Sequence, residues 1–593
     1  NFTFTTLPLQ GLGSVEQPFV LQLTATTEMN TADGKLPLIS GLSVDFTNAT
    51  SVFENLQVTG DAKVLDGTEQ ILTITPQVSE NRMSLALDEN AMWEAGHNYE
   101  FKIQFACSHN GMIYNFETLP LSIESETGDE ITLGEGSNEN PYLIYTAKQL
   151  DKVRNHLNAS MLQMRDIDLA GFTSEGCSDG CWNPIGGRNT YGNDYFKGSF
   201  NGNNHKISNM KIVGDLHYMG LFGCVRGSDT PAEISNIYLV DAYIEDNYSG
   251  FFDYSDADLN KYPSVGFLIG MIADNVNVSG CHVSGNMDFN GSGLCGGIIG
   301  IGSSMGGQSS VTDCHFDGNI SLPETVPSEN FAYCAGCIGF GINLSVSDCT
   351  TKGSITGNLG SVSGIVGFIG GAEFGQIRNC KASMDLRAIE CPVMGFTWMA
   401  IAADLVNDIS ECNLSSGGSA IGFLSQSQLA FIQNCSVDCE YIIGGQGASG
   451  FTAYCESVVS DCHVKVSDKI QSISDYTGAY GFADQVYGNI SNCSVEVGDI
   501  IATSSSAAGF VNDFDDYGAA YTVFNCFSIV NNITSCYGSA GFANENGSNI
   551  VSCYSIVNGT VESTAGAASP FINDSIYGQI AYCYSVFDSV VAA

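Results

Sequence analysis

Eleven cysteines return at a nearly fixed step: Cys281, Cys314, Cys349, Cys380, Cys412, Cys435, Cys462, Cys493, Cys526, Cys553 and Cys583, at intervals of 33, 35, 31, 32, 23, 27, 31, 33, 27 and 30 residues. Three residues before each stands Val or Ile: Val278, Val311, Val346, Ile377, Ile409, Ile432, Val459, Ile490, Val523, Ile550 and Ile580. Asp or Asn directly precedes the Cys in seven units, at Asp313, Asp348, Asn379, Asn434, Asp461, Asn492 and Asn525. A self-similar period of this size belongs to chains whose units cannot bury their inner faces alone and must stack.

Parity says what each unit is. In a strand, residues two apart share a face, so Cys and the apolar residue two later (Val283, Phe316, Val437, Val464, Val495) point inward together. The Val or Ile three before the Cys joins them only if the backbone bends between. Asp and Asn tolerate the left-handed conformation and cap their own turns, so they suit that bend. Each unit is therefore a set of short strands joined by corners, and stacking gives a parallel β-helix. A Gly-aromatic or Gly-aliphatic step, such as Gly395-Phe396, Gly422-Phe423, Gly450-Phe451 and Gly481-Phe482, recurs upstream of the Cys. A dozen coils at ~4.8 Å each make a rod on the order of 60 Å long.

The recurring thiol admits three readings. A buried ladder suits Cys as a small hydrophobe in a narrow interior. Disulfides between coils meet the difficulty that stacked side chains point parallel, and that eleven is odd. Metal binding lacks the close pairs and His that structural zinc prefers. Outside the ladder, Cys334-Ala-Gly-Cys337 has CxxC spacing but no helix to follow it. Cys177 and Cys181 share a loop and could pair if the compartment is oxidising.

The rest of the chain reads differently. Residues 1–124 carry alternating runs at 18–25, 41–47, 54–60, 71–77, 82–88 and 99–105, separated by turn signals, which predicts a β-sandwich. Residues 125–140 are acidic and rich in Gly, Ser and Asn, as in a linker. One helix is expected over 146–158, with Thr146 and Gln149 as a capping box and Ala147, Leu150, Val153 and Leu157 on one face. Such a helix would cover the open end of a repeat array spanning 141–593.

Charge narrows the function. The chain has 64 Asp+Glu against 20 Lys+Arg, a formal −44, and residues 227–593 hold 37 acids and 7 bases. That argues against nucleic acid and bare anionic membranes, which need clustered cations. No stretch approaches the ~20 apolar residues of a membrane-spanning helix.

The segment 138–223 resembles the GLUG-containing repeat proteins of bacterial cell surfaces. The matching pieces are NENPYLIYTAKQL, DIDLAGF at 166–172, WNPIG at 182–186, FKGSFNGNNHKISNMKI at 196–212 and GLFG at 220–223. Here the family's Phe-Asp-Gly-x-Gly-His turn has become Phe200-Asn201-Gly202-Asn203-Asn204-His205, and Asn suits a tight turn as Asp and Gly do. Downstream units look like degenerate copies, about 12 coils in all. The resemblance implies a right-handed β-helix on the outside of a bacterial cell and, in many relatives, a name as an adhesin. Residues 1–124 resemble the Ig-like or fimbrillin-like modules near the lipid anchor of Bacteroides-type surface proteins, which implies outer-membrane attachment through an anchor upstream of residue 1.

Candidate chemistry is thin. No His-Glu-x-x-His, Gly-His-Gly or Arg-x-Lys step is present, and the repeat region has few scattered cations. Two acidic knots, Asp253/Asp256/Asp258 and Asp513/Asp515/Asp516, offer oxygens for Ca²⁺ without matching a calcium loop. Aromatics Tyr248, Phe251, Phe252, Tyr254 and Tyr262 accompany the first knot. The expectation is an all-β chain, a β-sandwich then a helix-capped right-handed parallel β-helix. Its function would be surface-displayed and non-enzymatic, presenting loops to a surface protein or glycan, with no catalytic residue and no cofactor beyond possible calcium. The alternative is a polysaccharide lyase or glycoside hydrolase on the same scaffold.

Overall fold

In a computed structural model the chain divides into two compact units, residues 1–133 with 144–152, and residues 134–143 with 153–593. The structure describes residues 2–5, 22–27, 35–39, 43–48, 54–58, 60–79, 82–86, 92–102, 104–109, 112–117, 121–187, 194–248, 262–290, 292–304, 306–324, 332–359, 363–514, 521–575 and 578–592, and in several strands of the first unit it describes the backbone alone.

The first unit is antiparallel β throughout its strands. It has sheets of five, three and four strands, the layers from which a sandwich is made. In the four-stranded sheet Val64, Tyr99, Phe101 and Ile123 are buried, and Trp93 packs on Tyr99 with ring centroids 4.8 Å apart. The expected helix is present but short, Ala147–Lys152 continued by a 3₁₀ turn Val153–Asn155. Thr146 caps it: its Oγ1 accepts from Gln149 N–H at 3.2 Å. Gln149 Oε1 accepts in turn from Tyr145 N–H at 2.8 Å. The acidic stretch expected to be a linker is fixed to this helix. Lys148 Nζ donates to Asp129 Oδ1 at 2.5 Å and Gln149 Nε2 to Glu130 O at 2.9 Å. The Lys148 hydrogen bond holds the Asp129 carboxyl below its usual range.

The second unit is a parallel β-solenoid of three sheets, with 25, 16 and 12 strands. One coil shows the plan. Ser264–Gly266 joins the 12-stranded sheet, Ile269–Ile272 and Val276–Ser279 both join the 25-stranded sheet, and His282–Asp288 joins the 16-stranded sheet before Gly293–Gly296 begins the next coil. The 12-stranded sheet takes one strand from each coil, which makes about twelve coils.

The corner before each ladder position explains its residues. Asp313, Asp348, Asn379, Asn434, Asp461, Asn492 and Asn525 all lie in the left-handed region, with φ of 52–57°. Their side chains also stack. Asn379 Nδ2 donates to Asp348 Oδ1, Asn407 to Asn379 and Asn434 to Asn407, at 3.1, 3.0 and 2.8 Å. Asn492 donates to Asp461 and Asn525 to Asn492, both at 3.0 Å. The first member of each run only has to accept, and in both it is Asp. Inside the corner the thiols are buried, Cys583 in the last coil only partly, and their sulfurs accept backbone N–H groups that the bend turns inward: Cys314 N–H to Cys349 Sγ at 3.4 Å, Cys462 to Cys493 at 3.4 Å and Cys526 to Cys553 at 3.4 Å. Burial pushes the Cys462 thiol well above its ordinary value, which keeps it an S–H group.

One member of the expected ladder lies elsewhere. Ile377 pairs with Leu405 and Leu405 with Ile432, so the corner of that coil is Asn407 (φ 62°) and the position beneath Cys380 is Asp408. Ile409 stands outside the core, opposite Lys381, and Cys412 is buried further along, its thiol donating to Gly395 O at 3.2 Å. The pattern Ile-x-x-Cys at 409–412 imitated the repeat by chance. Its intervals of 32 and 23 were the irregular pair, and through Asp408 they become 28 and 27.

The Gly-aromatic step builds a second column. Phe368, Phe396, Phe423, Phe451, Phe482, Phe510, Phe542 and Phe571 stack with centroids 4.7–5.1 Å apart. The preceding glycines are required by proximity: a Cβ on Gly422, Gly450 or Gly481 would overlap the carbonyl oxygen of the matching glycine one coil on. Coil spacing is the distance at which aromatic faces meet, so repetition alone produces the stack.

Candidate binding face on the 16-stranded sheet

On the strands that follow the cysteine corner, every second residue points outward. Strands Tyr238–Asp246, His282–Asp288, His315–Ser321 and Thr350–Gly357 pair in sequence, in register except for a bulge between Leu239 and Ala242 in the first. They therefore present Tyr238, His282, His315 and Thr350 as one row. Residues Tyr243, Asn286, Asn319 and Ser354 form another, and Glu245, Asp288, Ser321 and Thr356 a third.

The rings of the first row touch: Tyr238 stacks on His282 at 4.4 Å between centroids, and His282 meets His315 at 4.7 Å with the rings tilted by 36°. His315 is oriented by Asp313 Oδ1 at Nε2 (3.0 Å) and Thr350 Oγ1 at Nδ1 (2.8 Å). Burial, then the neighbouring His315, holds His282 below the usual imidazole range, so it favours the neutral ring. Beside this row lies a depression of about 290 Å³ that reaches Asp317 and Lys352.

A larger depression, about 500 Å³, lies at the other edge of the same face, between Tyr243 and Pro323. Tyr243 Oη donates to Asp288 Oδ2 at 2.7 Å and lies 3.4 Å from Glu245 Oε2, so two carboxylates share one phenol. That bond raises the Tyr243 phenol. Asp246, one residue on, is buried. Its oxygens accept Tyr248 N–H at 3.0 Å and Asn290 N–H at 3.4 Å, and burial pushes its carboxyl up to about 7. The arrangement offers hydrogen-bond acceptors to hydroxyl groups, and one carboxyl able to exchange a proton near neutrality.

Of the acids expected to hold calcium, Asp253, Asp256, Asp258, Asp515 and Asp516 lie outside the described residues, as do Phe251, Phe252 and Tyr254. Asp513 is on the 25-stranded sheet, in register with Gln485 and Glu545. Tyr248 is half-buried and Tyr262 buried. Among the described residues no group of three or more His, Cys, Asp or Glu is placed to hold a metal ion. Cys177 and Cys181 are both thiols, as are Cys334 and Cys337, which are buried. The residues of the face itself escaped the sequence reading, although the signal was there. Counting one, three, five and seven residues beyond Cys281 gives His282, Ser284, Asn286 and Asp288.

These features define a parallel β-solenoid with an antiparallel β module before it, carrying a polar, acid-rich outer face. Among the described residues no helix is long and apolar enough to cross a membrane. No known family model matches the chain. It is similar to a protein of Evansella cellulosilytica whose name calls it a Gly-rich membrane protein, at 38% identity over 114 residues, 19% of this chain and 12% of that one. It is also similar to the Halomucin of Haloquadratum walsbyi, at 30% identity over 193 residues, 29% of this chain and 2% of that protein. The matches thus span a small part of both relatives. Among solved structures, a Bacteroides ovatus protein named as an immunoglobulin A1 protease aligns with a TM-score of 0.30 and 19% identity, over 47% of this chain and 79% of its own. Another, titled IgA1 Protease, aligns with a TM-score of 0.36 and 14% identity, over 71% of this chain and 31% of its own.

Proposed function

We propose that the protein is a binding protein displayed outside a bacterial cell, which uses the outer face of the 16-stranded sheet to hold a glycan or a surface protein. The observation that carries this reading is the in-register face itself. Four consecutive coils align hydroxyl, amide, imidazole and carboxyl groups in rows, and two depressions open on them. Such a surface matches a repeating, hydroxyl-rich ligand at coil spacing. The acidic surface disfavours sulfated or phosphorylated polymers, and the chain's resemblance to GLUG-repeat sequences supports display at the cell surface.

A second reading, a carbohydrate-active enzyme, has one observation in its favour. Glu245 and Asp288 converge on Tyr243 beside Asp246, a carboxyl raised towards neutrality, as paired acid and base groups would be. The test is a glycan and surface-protein array probed with the full chain, with and without calcium, followed by the variant His282→Ala/Asp288→Asn. Binding lost in the variant supports the proposal. Depolymerisation of a bound polysaccharide, abolished by Asp246→Asn, would replace it with the enzyme reading. Undiminished binding in the first variant would remove this face from consideration.

A further inference from the structure

Three successive corners on the 25-stranded sheet depart from Asn, Asp or Gly, as Ser552 and Tyr582 do at the last two cysteine corners. In one coil the corner is Asn343, φ 52°, whose amide donates to Ser304 O at 2.8 Å. Register then places Phe374, Ala402 and Leu429 at the same corner of the next three coils, since Ile342 pairs with Glu373, Glu373 with Ile401 and Ile401 with Gln428. All three are left-handed, with φ of 55°, 48° and 54°. That conformation suits Asn and Gly and disfavours residues like Phe and Leu. Neither large side chain gains burial in exchange: Phe374 is 61% and Leu429 80% exposed. Phe431, two residues beyond Leu429 on the same strand, and Val458, paired with it one coil on, are 42% and 47% exposed.

The result is two apolar knobs two coils apart, ~10 Å, with the small Ala402 between them as a notch, and more apolar surface alongside. Large apolar side chains left exposed in neighbouring coils beside polar groups are the mark of a protein contact, and backbone kept in a disfavoured conformation points the same way. The rim identifies the partner's charge. Glu373 precedes Phe374, Asp404 follows Ala402 with Arg378 3.7 Å away, and Glu456 accepts from Gln428 at 3.0 Å. The chain as a whole carries −44. A second copy would bring the same charge to an acidic rim, whereas a basic segment is attracted.

We infer that the Phe374–Ala402–Leu429 ridge docks a polypeptide segment of another protein in which an apolar side chain, seated in the notch, is flanked by Lys or Arg. This is a different sheet from the face proposed above and does not depend on that reading. The test selects a phage-displayed dodecapeptide library on the full chain, with counter-selection on Phe374→Asn/Leu429→Asn. Asn is what the left-handed corner favours, so the double variant should unfold at a higher temperature while binding the selected peptides at least about tenfold more weakly. Phe374→Leu should retain binding. Selected peptides should pair an aliphatic or aromatic residue with Lys or Arg and bind less tightly as salt rises. Peptides without basic residues, equal binding by both forms, or a loss seen only in self-association of the chain would each overturn the inference.

Discussion

The backbone N–H of Cys380 donates to Asp408 Oδ1 at 2.8 Å, across one coil of the solenoid. In other coils the same kind of N–H is met by a thiol, as where Cys493 N–H meets Cys526 Sγ at 3.5 Å and Cys553 N–H meets Cys583 Sγ at 3.4 Å. The ladder is therefore a column of acceptors for N–H groups stranded by the left-handed corner, and a carboxyl can fill it. The substitution has a cost. Asp408 is wholly buried and its Oδ2 has no hydrogen-bond partner, where a thiol would leave nothing unsatisfied.

Restoring the thiol should therefore stabilise the solenoid. Asp408→Cys keeps an acceptor for Cys380 and removes the orphaned oxygen, a gain of about 1–3 kcal/mol. Asp408→Leu removes the acceptor and strands the Cys380 N–H, so it should forfeit most of that gain. Thermal melts of the two variants should differ, with Cys above Leu. Equal melting temperatures would mean that the acceptor role is wrong.

The same residue makes a pH prediction. Burial raises the Asp408 carboxyl from its ordinary 3.8 to about 8, with Cys380 N–H and Arg378 opposing. Cys380 and Cys435 face it from the coils on either side, and Ser410 follows it on the same strand face. Across that window the folded chain binds the proton more tightly than the unfolded chain. Stability from this group is thus fully present below about pH 4, falls by at most about 1.4 kcal/mol per pH unit as pH rises, and levels off above about 8. Asp246, raised to about 7, and Asp484, raised to about 6, act in the same direction. Asp408→Asn keeps Oδ1 and cannot titrate. The difference in urea midpoint between wild type and this variant should therefore swing in the variant's favour between pH 5 and pH 8. A difference that does not change with pH would contradict it.

The glycine column predicts a steep size limit. A methyl group on Gly450 or Gly481 meets a backbone carbonyl of the next coil, which cannot step aside without separating coils. Gly481→Ala should cost about 1–3 kcal/mol or more by overpacking, although glycine-to-alanine exchange elsewhere in a strand is usually mild. Phe482→Ala, which empties one ring from the stack, should cost about 3–5 kcal/mol. Chemical denaturation of both variants checks the pair, and a Gly481→Ala protein as stable as wild type would refute the close approach.

Much of this was legible because repetition makes each position visible many times. Period and parity gave parallel coils, inward thiols and Asp or Asn at the bend. They did not show why the inward residue is Cys, since the stranded N–H exists only once the corner has formed. They also placed Cys412 where Asp408 stands, because a local Ile-x-x-Cys match outweighed an uneven interval. In the first unit the six alternating runs correspond to strands, but Ala62–Asp66, Met112–Glu117 and Leu121–Glu124 lacked a long enough alternation to stand out. The binding face was overlooked for a different reason: its residues vary from coil to coil, and only their fixed distance from the cysteine unites them.

Register also stacks like charges. Asp513 pairs with Glu545 and Glu545 with Asp574 on outward positions of the 25-stranded sheet, so three acids follow one another at coil spacing, ~4.8 Å. Gln485 holds the corresponding position one coil earlier. Adjacent carboxylates at that distance repel, and the chain's −44 leaves few cations to intervene. Screening shortens the reach of this repulsion to ~8 Å at physiological salt and ~3 Å at 1 M. The melting temperature should accordingly rise with sodium chloride. Glu545→Gln, which removes the middle charge and both contacts, should raise it at low salt and flatten its salt dependence. Calcium at millimolar concentration should stabilise wild type more than the variant if it bridges these acids, and equally if it merely screens. A melting temperature that falls with salt in wild type would show that attraction, not repulsion, governs this column.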